Sequence, residues 1–251
     1  MKNTNEFFIP ENYVDNISED DYQQATLVID AIKSLNRLMY HSIYIADYFR
    51  HNFLYVSDNP LFLCGLSAQE VQKQGFAFYF DHVPEEEVQM LLEINQAGFV
   101  FYNNAPVNER LKLSISYDFH IQYENSPILI NHKLTPIRLA KNGNIWLSAC
   151  VVSLATKKTV GNIEAYMDGE SHYWTYSLEH KKWEKEQKKV LSEREKEVLI
   201  LAAQGHTVDQ IADKLFISKD TVKYHRKNLF EKINVSSISE ALWLTTEKKM
   251  I

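Results

Sequence analysis

Residues 207–233 read TVDQIADKLFISKDTVKYHRKNLFEKI, and two helices separated by a turn can be placed on that stretch from its caps alone. Thr207 and Gln210 make a capping box, in which a hydroxyl and a side-chain amide satisfy backbone donors at a helix start. The helix that follows turns Val208, Ile211, Ala212 and Leu215 to one side. After the short connection Phe216-Ile217, Ser218 caps a second helix from Lys219 to about Lys232. At about 100° per residue, with Val222 as zero, Leu229 and Ile233 fall within roughly 20° of it, whereas Lys223, Lys227 and Tyr224 lie near 100°, 140° and 200°. One side of this helix is therefore apolar and the other carries two lysines and a tyrosine. Two short helices joined by a tight turn, the second of them basic, form a helix-turn-helix.

The same signals continue on either side of that motif. Ser192-Glu193-Arg194-Glu195 is another capping box, opening a helix that buries Val198, Leu199 and Ala202 and stops at Gly205. Ser237-Ile238-Ser239-Glu240 opens a last helix with Ala241, Leu242 and Leu244. From Leu191 onward there is no proline and a single glycine, so residues 191–251 are expected to form an all-α domain of four helices. Charge sets this segment apart as well. Residues 181–251 carry 15 Lys and Arg against 11 Asp and Glu, residues 1–180 only 12 against 22, so the overall net charge of −6 hides an acidic body and a basic last quarter. Lysine donates to guanine O6 and N7, and tyrosine offers a ring and a hydroxyl, which suits Lys223, Tyr224 and Lys227 to a major-groove edge. Thr207, Ser218, Lys219 and Thr221 lie at or near helix N-termini, where backbone N–H groups point at anions such as phosphates.

The first part of the chain has another texture. Residues 1–17 read as a loosely packed leader. Ser18 then caps a helix whose first turn, Glu19, Asp20 and Asp21, complements the helix dipole. The helix runs to about Met39 with Val28, Ile32, Leu35 and Met39 on one stripe, which either covers the domain's own sheet or forms a dimer seam. Beyond it, residues 41–160 are rich in aromatic and β-branched residues broken by the turn signals Asp58-Asn59-Pro60, Asn103-Asn104, Asn125-Ser126-Pro127 and Asn142-Gly143. A mixed α/β domain with an antiparallel sheet is predicted there, with strands at Tyr117–Tyr123, Ile128–Ile137 and Ile145–Leu154. Residues 161–190 join the two parts: a hairpin at Asp168-Gly169, then a Lys/Glu-rich solvated linker or helix extension.

Composition removes several function classes. The seven glycines are too far apart for a dinucleotide fingerprint or a phosphate-binding P-loop. Two cysteines exclude a thiolate zinc cluster and a disulfide framework, and the nine histidines form no H-E-x-x-H pair. Residues 1–10 lack the long apolar core expected of a signal peptide, and the longest uncharged run, Asn142–Thr156, is too short to span a bilayer. The expectation is a cytoplasmic protein without a membrane contact, a catalytic residue or a metal. Of His82, His120 and His132 none stands out as an axial haem ligand. Phe78, Tyr79, Phe80, Phe99 and Phe101 either line a pocket or form ordinary core, so no cofactor is expected.

The run LSEREKEVL at 191–199, followed by Gly205-His206-Thr207, Ile211-Ala212, Leu215, Ile217-Ser218, Thr221-Val222-Lys223-Tyr224-His225 and Glu240-Ala241, resembles the LuxR-type (GerE-like) DNA-binding domain of bacterial transcription regulators. That resemblance implies a third helix in the major groove with Lys223, Tyr224 and Lys227 on bases, and a fourth helix, at Ile238, Ala241 and Leu242, that mediates dimerisation. Arg226 departs from the family, which has an apolar residue there. Its stem is expected along Phe230, with the guanidinium free for a phosphate. The order of elements from Ala46 to Glu87, a strand, an Asp-Asn-Pro turn, short helices around Ser67 and an acidic turn, is similar to a PAS domain, a module that senses by enclosing a ligand or by changing how two copies pack. The ligand is not identified by the sequence.

The expected fold class is thus α+β: a PAS-like domain with an antiparallel sheet, followed by a four-helix LuxR-type domain. The expected function is a sequence-specific transcription regulator, a homodimer on two-fold double-stranded DNA, with RNA polymerase as a further partner. Two alternatives stand beside it, a polymerase-binding factor like the fourth region of sigma factors and a response-regulator-type protein with a divergent receiver.

Overall fold

The computed structural model describes residues 4–123, 126–248 and 250–251; Asn125, in one of the turn signals, lies outside them. The chain divides into two compact units, Met1–Glu186 and Gln187–Ile251. In unit 1 the elements are α1 (Glu19–Asn36), β1 (Ser42–Asp47), β2 (Asn52–Val56), α2 (Pro60–Leu63), α3 (Ala68–Gln74), α4 (Ala77–His82), α5 (Glu85–Asn104), β3 (Leu113–Tyr123), β4 (Ser126–Leu139), β5 (Ile145–Leu154), β6 (Gly161–Met167), β7 (His172–Ser177) and β8 (Lys182–Gln187). Unit 2 holds α6 (Glu193–Ala203), α7 (Val208–Leu215), α8 (Lys219–Ile233) and α9 (Ile238–Glu247). The predicted α+β division, an antiparallel sheet followed by four helices, is what the molecule shows.

The eight strands form one sheet in the order β2-β1-β5-β4-β3-β6-β7-β8. Every pairing whose register is defined is antiparallel, unlike the parallel sheet of a receiver domain. Strand, short helices and then three long antiparallel strands follow the order that the PAS resemblance implies; the second strand β2 and the long helix α5, which begins in the acidic turn, are not part of that reading. Helices α2 and α4 pack aromatic side chains against β1 and β3, Tyr79 lying 6.3 Å from Phe119. Tyr44 of β1 stacks on Phe62 with centroids 4.6 Å apart, and Gly98 lets α5 approach the sheet, since a Cβ there would stand 3.1 Å from Ile115 Cδ1.

Three expectations for unit 1 are corrected. The leader is not loose: Phe7 and Val14 are buried, and the Asn12 side chain pairs with the backbone of Ile145, donating to its carbonyl at 3.0 Å and accepting from its N–H at 2.8 Å. An amide side chain replaces a missing strand there, and Phe7, with centroids 5.4–5.7 Å from Phe76, Tyr79 and Phe80, supplies the apolar contact. Helix α1 buries Tyr22, Ala25 and Ile29; of the stripe from Val28 to Met39, Ile32 packs against that core, while Leu35 and Met39 are exposed. The Tyr22 hydroxyl donates to the buried Asp47 carboxylate at 2.6 Å and its ring meets Trp146 edge-on at 5.1 Å, which fixes the helix's rotation. Lastly, residues 182–187 form strand β8 rather than a linker or helix extension, though all but Trp183 are exposed, because Trp183 lies 4.7 Å from Phe101 and 5.1 Å from Tyr176.

A polar chain crosses the core of this unit. The Tyr44 hydroxyl is hydrogen-bonded to Tyr79 and, at 2.6 Å, to His132 Nε2, whereas His132 Nδ1 is buried without a partner. Burial pushes the His132 imidazole down to about 3. Between that value and the unfolded pKa the unfolded chain binds the proton and the folded one does not, so stability falls as pH drops below the unfolded value. We expect unit 1 to lose about 2 kcal/mol between pH 7 and pH 5 from this group. Urea unfolding at the two pH values checks it: His132→Phe should flatten the pH dependence by one proton, and an unchanged slope would contradict the assignment.

Candidate nucleic-acid interface

Unit 2 is built so that α8 has one buried side and one free side. Val222 packs with Val198, Ile211 and Ala212 of α6 and α7; Leu229 and Ile233 pack with Leu191, Leu199 and Ala241. Thr207, Ser218 and Ser192 each accept a hydrogen bond from the backbone N–H three residues on, so the caps read from the sequence start all three helices. The turn between α7 and α8 rests on Phe216, in the left-handed region at φ 54°. Its ring is 94% exposed while Ile217 packs inward. Nothing local marks a bulky residue for that conformation; glycine or asparagine is its usual sign.

A half-buried ion pair braces the unit. Glu195 accepts from Lys232 Nζ at 2.6 Å and from the Ser192 N–H at 2.8 Å. Burial raises its carboxyl, but the hydrogen bonds from Lys232 and Ser192 outweigh this and hold it below the usual range. Lys232 also donates to the Val190 carbonyl at 3.3 Å, tying the start of α6 to the end of α8. Glu195→Ala leaves these donors unmatched and should cost unit 2 about 2 kcal/mol, read as a lower thermal midpoint of its helical signal; a loss under about 0.5 kcal/mol would show the pair to be incidental.

Lys223, Tyr224 and Lys227 are all exposed on the side of α8 away from this core. Each nearby lysine has an acidic neighbour: Lys223–Asp220 at 3.2 Å, Lys227–Glu231 at 3.7 Å and Lys219–Asp209 at 2.8 Å. The first two follow from i,i+3 and i,i+4 spacing; Lys219–Asp209 spans α7 and α8 and raises the Lys219 ammonium through the Asp209 hydrogen bond. The Arg226 guanidinium lies 5.3 Å from the Phe230 ring centroid, and Arg226 is exposed. Ser218 Oγ is 2.8 Å from Thr221 Oγ1, so those two hydroxyls and Thr207 are held in caps at the helix starts. The structure therefore gathers the eight residues named for bases and phosphates onto α7, α8 and the turn between them.

The three residues named for dimerisation are placed differently. Ala241 is fully buried in its own domain, and Ile238 and Leu242 pack against the same core. Ile238 and Leu242 remain half-buried, and among the described large apolar side chains of α9 Trp243 is exposed.

Residues 189–245 match the model of the bacterial regulatory proteins of the luxR family. Unit 2 is a LuxR-family domain. The oxygen regulatory protein NreC of Staphylococcus carnosus (strain TM300) is 38% identical over 63 residues, 25% of this chain and 29% of that protein. Its counterpart in Staphylococcus epidermidis (strain ATCC 12228 / FDA PCI 1200) is 40% identical over the same length. The chain thus spans less than a third of these curated relatives, and the likeness lies in the LuxR-type domain. Among solved structures, the phage VqmA–DPO complex is 16% identical with a TM-score of 0.35 over 90% of both chains, and VqmA of Vibrio cholerae is 16% identical with a TM-score of 0.31 over 88% of both.

In unit 1 no group of three or more His, Cys, Asp or Glu side chains converges on a metal-sized site among the described residues, and no described helix is long and apolar enough to cross a membrane. A cavity of about 30 Å³ lies between α5 and the sheet, lined by Tyr48, Asn95, Gly98, Phe99, Tyr102 and Tyr117 among others. It has room for one or two water-sized guests. Of the five aromatic residues named for a pocket, only Phe99 lines it; Phe78 and Tyr79 pack around Phe62 and Phe101 packs on Trp174 and Trp183.

Proposed function

We propose that this protein is a sequence-specific DNA-binding transcription regulator of the cytoplasm, without enzymatic activity, whose α8 enters the major groove and whose unit 1 is the sensory and pairing part. The observation that carries this reading is the division of α8: Val222, Leu229 and Ile233 are locked into the LuxR-type core, which leaves Lys223, Tyr224 and Lys227 on a rigid rod facing solvent. Lys223 and Lys227 donate to guanine edges and Tyr224 contacts a base edge or thymine methyl. Lys219, Arg226 and the helix starts at Thr207, Ser218 and Thr221 hold phosphates.

The intramolecular ion pairs do not oppose this role. Exposed pairs are worth about 0.2–1 kcal/mol, whereas a good bidentate base contact is worth about 1–3 kcal/mol, so Asp220 and Glu231 yield their lysines to DNA. The test is selection from a random duplex pool by the full chain, followed by titration of the winner against salt. A defined sequence should emerge, and log K should fall with log salt by about 0.9 for each phosphate contacted. No enrichment, or binding indifferent to salt, overturns the proposal.

A further inference from the structure

The side of α8 turned to solvent is not uniformly basic. At about 100° per residue with Val222 as zero, Asp220 lies near 160°, between Lys227 and Tyr224 and almost opposite the core. Its side chain is 91% exposed. The caps of unit 2 do not use this carboxylate. Glu195 and Gln210, third in α6 and α7, bond back to the cap N–H of their helices, whereas the third residue of α8 is Thr221, whose hydroxyl meets that of Ser218 at 2.8 Å. An acid in the first turn complements the helix dipole, but that service does not depend on its direction around the axis. Among the described residues the Asp220 carboxylate bonds only to Lys223 Nζ, at 3.2 Å.

We infer that Asp220 reads a base: its carboxylate accepts a hydrogen bond from the N4 amino group of a cytosine next to the guanine that Lys223 contacts. This rests on the proposed placement of α8 and follows from what that placement does to the ion pair. When Lys223 turns to guanine O6 and N7, Asp220 loses its one partner inside a groove rimmed by phosphates. An ionised carboxylate can only accept hydrogen bonds. Guanine and thymine offer it acceptors alone on the major-groove edge, adenine sets the acceptor N7 beside its amino group, and cytosine presents a donor with no acceptor beside it. Cytosine is therefore the base that an acid at this position selects. From residue 220 to 223 the helix advances about 4.5 Å, against about 3.4 Å between stacked base pairs, so the two side chains fall on neighbouring pairs. Recognition helices meet base edges with their N-terminal residues, and Asp220 is the second residue of α8. Glu231, the other acid on this side, is 3.7 Å from Lys227 and lies about 16 Å farther along the axis, toward the end that leaves the bases.

The test is selection from a random duplex pool by the full chain and by its Asp220→Asn, Asp220→Ala, Lys223→Ala and Glu231→Gln variants, with titration of the selected duplexes. The wild-type protein should select cytosine beside the guanine that Lys223→Ala no longer requires, and replacing that cytosine should weaken its binding about tenfold or more. Asp220→Asn should move the choice at that pair to adenine, because a side-chain amide matches N6 and N7 together. Asp220→Ala should accept any base there. Both should bind random duplex more tightly than the wild type, since one negative charge has left the groove. Glu231→Gln should share that gain with every base choice unchanged. If the Asp220 variants keep the wild-type base at every position and merely bind all duplexes more tightly, the carboxylate only screens Lys223 and the inference is overturned; a wild-type choice other than cytosine beside that guanine overturns it as well. Circular dichroism checks each fold, and should Asp220→Ala lose its helices, the switch to adenine in Asp220→Asn decides alone. A wild-type chain that enriches no sequence removes the placement of α8 itself, whereas a defined operator indifferent to residue 220 removes this inference only.

Discussion

Changing Lys223 and Lys227 together to Ala lowers affinity for the selected operator by about 10²- to 10³-fold, corresponding to two base contacts at about 1–3 kcal/mol each, and leaves affinity for random duplex within about tenfold. The asymmetry follows from where the lysines stand. Both lie on the side of α8 that faces away from its core, 65% and 72% exposed, and neither holds unit 2 together, so the variant folds and loses discrimination. Lys219→Ala acts differently. Its ammonium sits at the start of α8 beside Asp209, where a phosphate is the natural partner, so binding should weaken equally on all sequences and the salt slope should fall by about one. A competition titration at two salt concentrations separates the two patterns. Equal losses on operator and random DNA for the double variant would move Lys223 and Lys227 from bases to phosphates.

The second large effect is structural. Leu229→Ala removes the side chain at which α6, α8 and α9 meet; a fully buried leucine costs about 2–5 kcal/mol on truncation. Unit 2 is short, Gln187–Ile251, and domains of that size hold little stability in reserve. We expect the variant to lose DNA binding and the helical signal of unit 2 at 37 °C while the near-ultraviolet signal of Trp146, Trp174 and Trp183 in unit 1 persists. If both signals vanish in one transition, the two units fold as one and their division is only geometric.

The fold of unit 2 was legible because its caps are local. Ser192, Thr207 and Ser218 bond to groups three residues away, a distance that sequence spacing states directly, and the apolar period of α8 follows from the same arithmetic. Unit 1 was legible in order but not in rotation or extent. Tyr22 faces inward through a hydroxyl bonded to Asp47, 25 residues away, and Ala25 contributes by being small; neither scores as apolar period, so the stripe through Val28 and Leu35 was rotated away from the buried side and met the core at Ile32. In β8 a single tryptophan decides. All other residues of β8 are exposed, as on an edge strand, and a run of charges read without the distant Phe101 is indistinguishable from a linker.

The site shows the same contrast. The positions of Lys223, Tyr224 and Lys227 were fixed by helical angle, whereas Ala241 could not be assigned to a dimer surface or to a core without knowing what α6 and α8 place over it. Small apolar residues near a chain end satisfy both descriptions, and only packing separates them.

Methylation interference on the selected operator tests the major-groove placement of α8 most directly, because guanine N7 lies on that edge alone. Methylating N7 at the guanines of each half-site should abolish binding of the wild-type protein, and the Lys223→Ala, Lys227→Ala variant should no longer distinguish methylated from unmodified guanines there. Binding that tolerates N7 methylation throughout the operator would contradict the account.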